Sequence, residues 1–209
     1  MTVAGDERRE LASLLLEVGP DAPTLCEGWT TRDLAAHLVT RQDRVDAQAG
    51  IVIRPLSGWT ERVRQGAARS AYADLIRRIR SGPPWWSAQR LEALDEATNA
   101  LEYLVHHEDV RRAQPDWTPR DLPDAVNDEI WRRTIRVARL AVRRTSVGVA
   151  LARPTGNPET VRDAEPLGIV RGNPVELALW TYGRSPVADI TLEGPEDAIA
   201  ALKKLRPRL

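Results

Sequence analysis

The sequence predicts a mainly α protein in two parts: a helical bundle over residues 1–145, then a small α+β domain over residues 146–209. Three observations carry this. Long segments with apolar residues three and four apart fill the first part. Short β-branched apolar runs between glycine and proline turns fill the second. The change of texture falls at one place, near residue 145.

The elements follow in order. Residues 6–18, DERRELASLLLEV, place Leu11, Leu14, Leu15 and Val18 on one stripe, and GPDAP stops that helix. Thr30 followed by Asp33 makes a capping-box-like start, with aspartate for the usual glutamate, to a second helix running to about Ala49. RPLSG (54–58) breaks the chain before an arginine-rich third helix over 59–80. SGPPWW (81–86) is a loop carrying Trp85 and Trp86. A fourth helix spans about 87–113, and QPDWTPRDLP (114–123) links it to a fifth over 124–145. Beyond these, SVGVALARP (146–154), PLGIVRG (166–172) and VADITLEG (187–194) read as strands. TGNPE (155–159) is a turn, and NPVELALWTYGR (173–184) and PEDAIAALKKL (195–205) read as helices.

Composition narrows the function classes. Apolar residues at 42% and charged residues at 29% are ordinary for a soluble globular protein. A formal net charge of zero supplies no field toward nucleic acid or an anionic membrane, so the arginine-rich run RRTIRVARLAVRR (132–144) reads as a solvated helix face. The single cysteine, Cys26, excludes an internal disulfide and suits a reducing compartment. No apolar run approaches the ~20 residues of a membrane span, and the N-terminus lacks the pattern of a signal peptide. The expectation is a cytoplasmic protein with a small-molecule substrate and neither nucleic-acid nor membrane partners. No glycine-rich phosphate loop, GxSxG, HExxH or paired CxxC is present, and no histidine follows a glutamate by three, as a di-iron bundle requires.

The chemistry gathers in LEYLVHHEDVRRA (101–113), which holds two of the three histidines. In a helix, residues four apart share a face. Glu102 and His106 meet that condition, and Asp109, Asn99 and Asp95 extend the polar stripe. It runs beside an apolar one of Leu94, Thr98, Leu101 and Val105. His107 turns about 100° away, toward the surface or a domain boundary. The remaining histidine, His37, lies mid-helix between Leu34 and Leu38 and faces inward, with Asp33 one turn earlier as an acceptor able to orient its ring. Two imidazoles and one carboxylate from facing helices leave coordination positions open, as in catalytic metal sites. Spacing alone leaves two readings standing: this metal site, or a solvated Glu–His pair with a core histidine elsewhere. Cys26 and Trp29 read as packing residues at the start of the second helix.

Three segments then match a known family. LCEGWTTRDLAAHL resembles the Cys-x-Gly-Trp…Asp…His signature of the mycothiol-dependent maleylpyruvate isomerase superfamily, itself among the DinB/YfiT-like metal-binding four-helix bundles. LEYLVHHEDVRRA is similar to its second metal segment, and GNPVELALWTYGR to a segment of the small C-terminal domain of those isomerases. The motif order is kept across nearly the whole chain, which also resembles an actinobacterial metal-binding branch of that superfamily. The resemblance implies a DinB-like bundle with His37, Glu102 and His106 as metal ligands. Zinc is the leading ion; nickel, manganese or ferrous iron suit the same donors. It also implies a low-molecular-weight thiol such as mycothiol, in an isomerase or S-transferase acting on a small electrophile. Arg184, ending the C-terminal motif, is the catalytic candidate, a fork for a substrate carboxylate. A non-catalytic metal- or ligand-binding protein is the alternative; a non-haem iron oxygenase fits the ligand types but not the motif order.

Overall fold

The computed structural model describes residues 2–43, 57–83 and 92–205. Trp85, Trp86 and the expected extension of the second helix to Ala49 lie outside them, as do the side chains of Leu94, Asp95 and Thr98. The fold is mainly α, with a four-stranded sheet toward the C-terminus. Two compact units divide between Pro119 and Arg120.

The first unit holds α1 (Val3–Val18), α2 (Thr31–Asp43), α3 (Ser57–Ala68), α4 (Tyr72–Ser81) and α5 (Glu92–Arg111). Helix α1 starts where the Thr2 hydroxyl accepts from Gly5 N, and ends at Gly19, whose φ of +82° suits the glycine there. Helix α1 packs on α4 and α5, and α2 on α3 and α4. Leu11, Leu15, Leu34, Leu38, Leu75, Ile76 and Ile79 fill the core between them.

The single helix expected over 59–80 is two helices. No glycine or proline marks the break at 69–71. Arg32 of α2 makes it, donating from Nη1 to the carbonyls of Ala68 (3.3 Å) and Ser70 (3.2 Å) and standing over the Tyr72 ring. A cation on the last carbonyls of a helix stabilises its end, so the stop is set by a tertiary contact.

The second unit holds α6 (Asp124–Ala141), β1 (Gly148–Ala152), β2 (Glu159–Arg162), β3 (Leu167–Gly172), α7 (Pro174–Thr181), β4 (Ile190–Glu193) and α8 (Glu196–Lys204). The sheet order is β2-β1-β3-β4, with β1 and β3 parallel and the outer pairs antiparallel. Helix α6 packs on α7 and β2, and its Ile135 and Ala138 join the core around Trp180, Leu177 and Val170. The unit boundary therefore falls before this helix, whereas sequence texture suggests one near 145. Strand β2 is the element without a sequence signal. It is an edge strand of four residues, with Val161 its one buried side chain. Gly168 on β3 lets α8 lie close, since a Cβ there would come within 2.6 Å of Leu202 Cδ1.

Candidate metal centre

Helix α5 is buried on almost every side: from Ala100 to Val110, only Glu102 is partly exposed. So deep a helix must give each polar side chain a partner. Its two adjacent histidines sit in two separate clusters, and the buried Glu108 pairs with Arg111 and Arg112.

In the first, α2 brings His37 and Arg41, four residues apart, to Glu102 and His106 on α5. Glu102 Oε1 stands 3.6 Å from His37 Nε2, 3.4 Å from His106 Nε2 and 3.7 Å from Arg41 Nε. The two imidazoles lie edge to face, ring centroids 5.3 Å apart. One ligand atom each from His37, Glu102 and His106 falls within a 4.8 Å group.

A second layer closes this cluster from behind. His106 Nδ1 is 2.9 Å from Asp109 Oδ2, and Asp109 is fully buried. The Cys26 thiol donates to the same oxygen at 3.2 Å and stands 3.8 Å from His106 Nδ1. Asp109 thus holds the Nδ1 proton and points Nε2 at Glu102, the arrangement that orients a ligating histidine. Burial works against charge on His106, but hydrogen bonds to Asp109, Cys26 and Glu102 outweigh it and raise its pKa well above the ordinary value. Burial also opposes the Glu102 carboxylate, yet hydrogen bonds from His106 and His37 with the charge of Arg41 hold it well below its usual range. Burial lowers the pKa of His37, with Glu102 opposing, so this ring stays neutral and keeps a lone pair to offer.

The loop before α2 delivers Cys26. Leu25 N donates to the Asp109 carbonyl at 3.0 Å, and Gln114 Nε2 to the Pro23 carbonyl at 3.1 Å, pinning the loop to α5. The Thr24 hydroxyl donates to the Trp29 carbonyl (2.9 Å) and accepts from Cys26 N (3.2 Å), and Gly28 turns at φ +75°. Trp29 packs against the core and on the His37 ring, centroids 5.2 Å apart.

Asp33 does different work from that expected. Its Oδ2 accepts from Thr30 N (3.1 Å) and Oγ1 (3.0 Å), closing the capping box. Its Oδ1 takes Arg64 Nη1 at 2.6 Å. The carboxylate that orients an imidazole is Asp109, holding His106.

His107 is likewise corrected. It does not face the surface: it is buried against α1, where Nδ1 meets Glu7 Oε2 at 2.8 Å. With Glu10 these residues form a further group of close ligand atoms, beside His37–Glu102–His106 and Cys26–His106–Asp109. Arg184 lies in the second unit. Its backbone N donates to the Leu179 carbonyl (2.9 Å) and its Nη1 to the Tyr182 carbonyl (2.7 Å), at the end of α7. Sequence reasoning missed the layer behind His106. Asp109 had a signal, since it lies one helical turn after His106; Cys26 had one only in the motif that LCEGWTTRDLAAHL resembles, since no local spacing ties it to His106 and a folded-back loop places it there.

The donor set of the first cluster fits a divalent ion. Ligand atoms ~2.1 Å from a tetrahedral ion stand roughly 3.4 Å from one another, close to the separations from Glu102 Oε1 to the two imidazoles. Both ring nitrogens aimed at that oxygen are Nε2, with His106 fixed through Nδ1.

A family model described as the mycothiol maleylpyruvate isomerase N-terminal domain matches residues 3–138. No curated protein and no solved structure matches the chain. None of the described helices is long and apolar enough to cross a membrane.

Proposed function

The chain belongs to the family of the mycothiol maleylpyruvate isomerase N-terminal domain, and on that premise we propose a divalent-metal site serving a low-molecular-weight thiol, mycothiol in the first instance. The protein would use it to isomerise a small electrophile or to transfer the thiol to it. One observation carries the reading: two imidazole Nε2 atoms converge on one carboxylate oxygen from two helices. Three protein donors leave positions open for a ligand. Zinc is the first choice of ion, with nickel, manganese and ferrous iron suited to the same donors.

The ion's contribution when bound is to hold a thiol as its thiolate at neutral pH. The chain's own residues do the rest. Glu102 supplies the negative charge and His37 a neutral nitrogen, while His106, whose pKa lies well above the ordinary value, would give up its Nε2 proton to bind. Asp109 would keep the other His106 proton on Nδ1. A cytoplasmic setting, where thiols stay reduced, suits both this chemistry and the Cys26 thiol, which forms no disulfide.

The test is metal analysis of the purified protein, then titration of the cobalt-substituted form with mycothiol. A thiolate-to-cobalt band and a raised melting temperature are expected. A protein that takes up no metal, with His37→Ala unchanged in stability in the presence of zinc, refutes the site. Metal uptake without response to any thiol supports a metal-binding protein that does no thiol chemistry.

A further inference from the structure

A pocket of about 660 Å³ lies in the second unit, and every residue lining it belongs to that unit. Its walls come from the end of α7, the 3₁₀ turn of Ser185–Val187, strand β4 and α8. Strand register explains its place. Leu192 pairs with Val170 and Ile190 with Gly172, and side chains alternate across a strand. Ile190 and Leu192 therefore stand on the sheet face of Val170, where Trp180 and Leu202 also pack. The pocket sits at the edge strand β4, on the face that α7 and α8 cover.

The lining is graded. Trp180 and Leu202 are buried, Ile190, Leu192 and Ile199 are half-buried, and Thr191 and Lys203 are exposed. A surface for a protein partner leaves large apolar side chains exposed. Among the described residues those are Leu16, Trp117 and Leu140, and none of them lines the pocket. A recess of this size with apolar walls is instead the form of a small-molecule site, typically ~300–1,000 Å³.

One polar atom of the wall has no partner. Ser185 lines the pocket, and its Oγ is buried without a hydrogen bond among the described residues. A buried hydroxyl left unpaired is costly and uncommon, and it can rotate either to donate or to accept. The inner lining holds no ionic side chain, since Lys203, the one charged lining residue, is exposed. The part of a ligand that enters must then be uncharged.

We propose that this pocket binds a small uncharged molecule whose apolar body packs among Trp180, Ile190, Leu192 and Leu202, and whose hydroxyl or carbonyl pairs with Ser185 Oγ. The inference goes beyond the metal reading and needs neither ion nor thiol, so each can fail without the other.

The full chain is titrated by calorimetry with 2-naphthol and with naphthalene, which lacks the hydroxyl. Wild type, Ser185→Ala, Ser185→Thr and Ala188→Trp are compared, and circular dichroism checks that each folds. Ala188 also lines the pocket, and an indole there would fill it. Ser185→Ala should lower the affinity for 2-naphthol relative to naphthalene about tenfold. Ser185→Thr, which keeps the hydroxyl, should retain the wild-type ratio. Ala188→Trp should abolish binding of both probes. Should that variant not fold, Leu192→Gln replaces it, with both affinities expected to fall about fivefold. The proposal is overturned if the wild type binds neither probe, or if the ratio is the same in Ser185→Ala as in wild type. It is also overturned if binding survives unchanged in the variant of Ala188 or Leu192, which would place the probes elsewhere.

Discussion

His106 and His107 are neighbours on one helix, both buried, each beside a carboxylate, yet their surroundings differ in kind. His107 and Glu7 face each other at 2.8 Å, each side chain taking up the other. His106 is held from behind at Nδ1, and its Nε2 stands 3.4 Å from Glu102, with His37 on the far side of the same oxygen. A direct hydrogen bond of 2.8 Å leaves less room for an ion than the 3.4 Å and 3.6 Å separations around Glu102 Oε1. Donors held from behind and aimed at a shared point do leave it. Burial and residue type are alike in the two clusters; the direction of the lone pairs separates them.

The comparison breaks most sharply at the ligands. His106→Ala or His37→Ala should weaken zinc binding by at least about 100-fold, beyond the 10–100-fold typical of an outer partner, as read by competition with a chromophoric chelator. His107→Ala should leave zinc affinity within a few-fold of wild type. Equal losses in the two would show that the clusters are not distinct.

Asp109→Asn comes next. It removes the acceptor that keeps the His106 proton on Nδ1, and zinc affinity should fall about 10–100-fold while the far-ultraviolet spectrum is unchanged. On the other side of the helix, Glu7→Gln should cost about 1 kcal/mol of stability in urea unfolding, with zinc binding intact. A zinc defect in Glu7→Gln would count against the division of labour drawn here.

The smallest effect concerns the mount of His37. Arg64 ties Asp33, at the start of α2, to Glu61. Burial opposes ionisation of Asp33, but hydrogen bonds from Arg64 and Thr30 outweigh it and lower its pKa below the ordinary 3.8. The Arg64 hydrogen bond lowers Glu61 below 4.5. Both carboxyls therefore lend stability that is complete above their unfolded values and lost as pH falls through the folded ones. Between about pH 5 and 3, wild-type stability should fall more steeply with acid than that of Arg64→Gln. Parallel curves would mean that the network contributes little.

How much of this could be read beforehand follows from range. Helical phase paired Glu102 with His106 and turned His107 aside, because both facts are local to one helix. Pairing them with His37 drew on the family resemblance, since spacing gives no contact across helices. The partner of His107 lies one hundred residues away at Glu7, and nothing near His107 announces it. The break between α3 and α4 was hidden for the same reason, being made by Arg32. The capping box at Thr30 was legible, because both of its members lie within one turn. Strand β2 was not, as an edge strand with one buried side chain carries almost no apolar pattern.

The burial of α5 bears on time as well as on geometry. A segment packed on all sides exchanges its amide hydrogens only when the whole domain opens. Glu102 and His106 ride on such a segment, so neither can swing out of place by local fraying. An ion held there would leave slowly, and the hydrogen-exchange rates of residues 102–106 would mark the ceiling on its release.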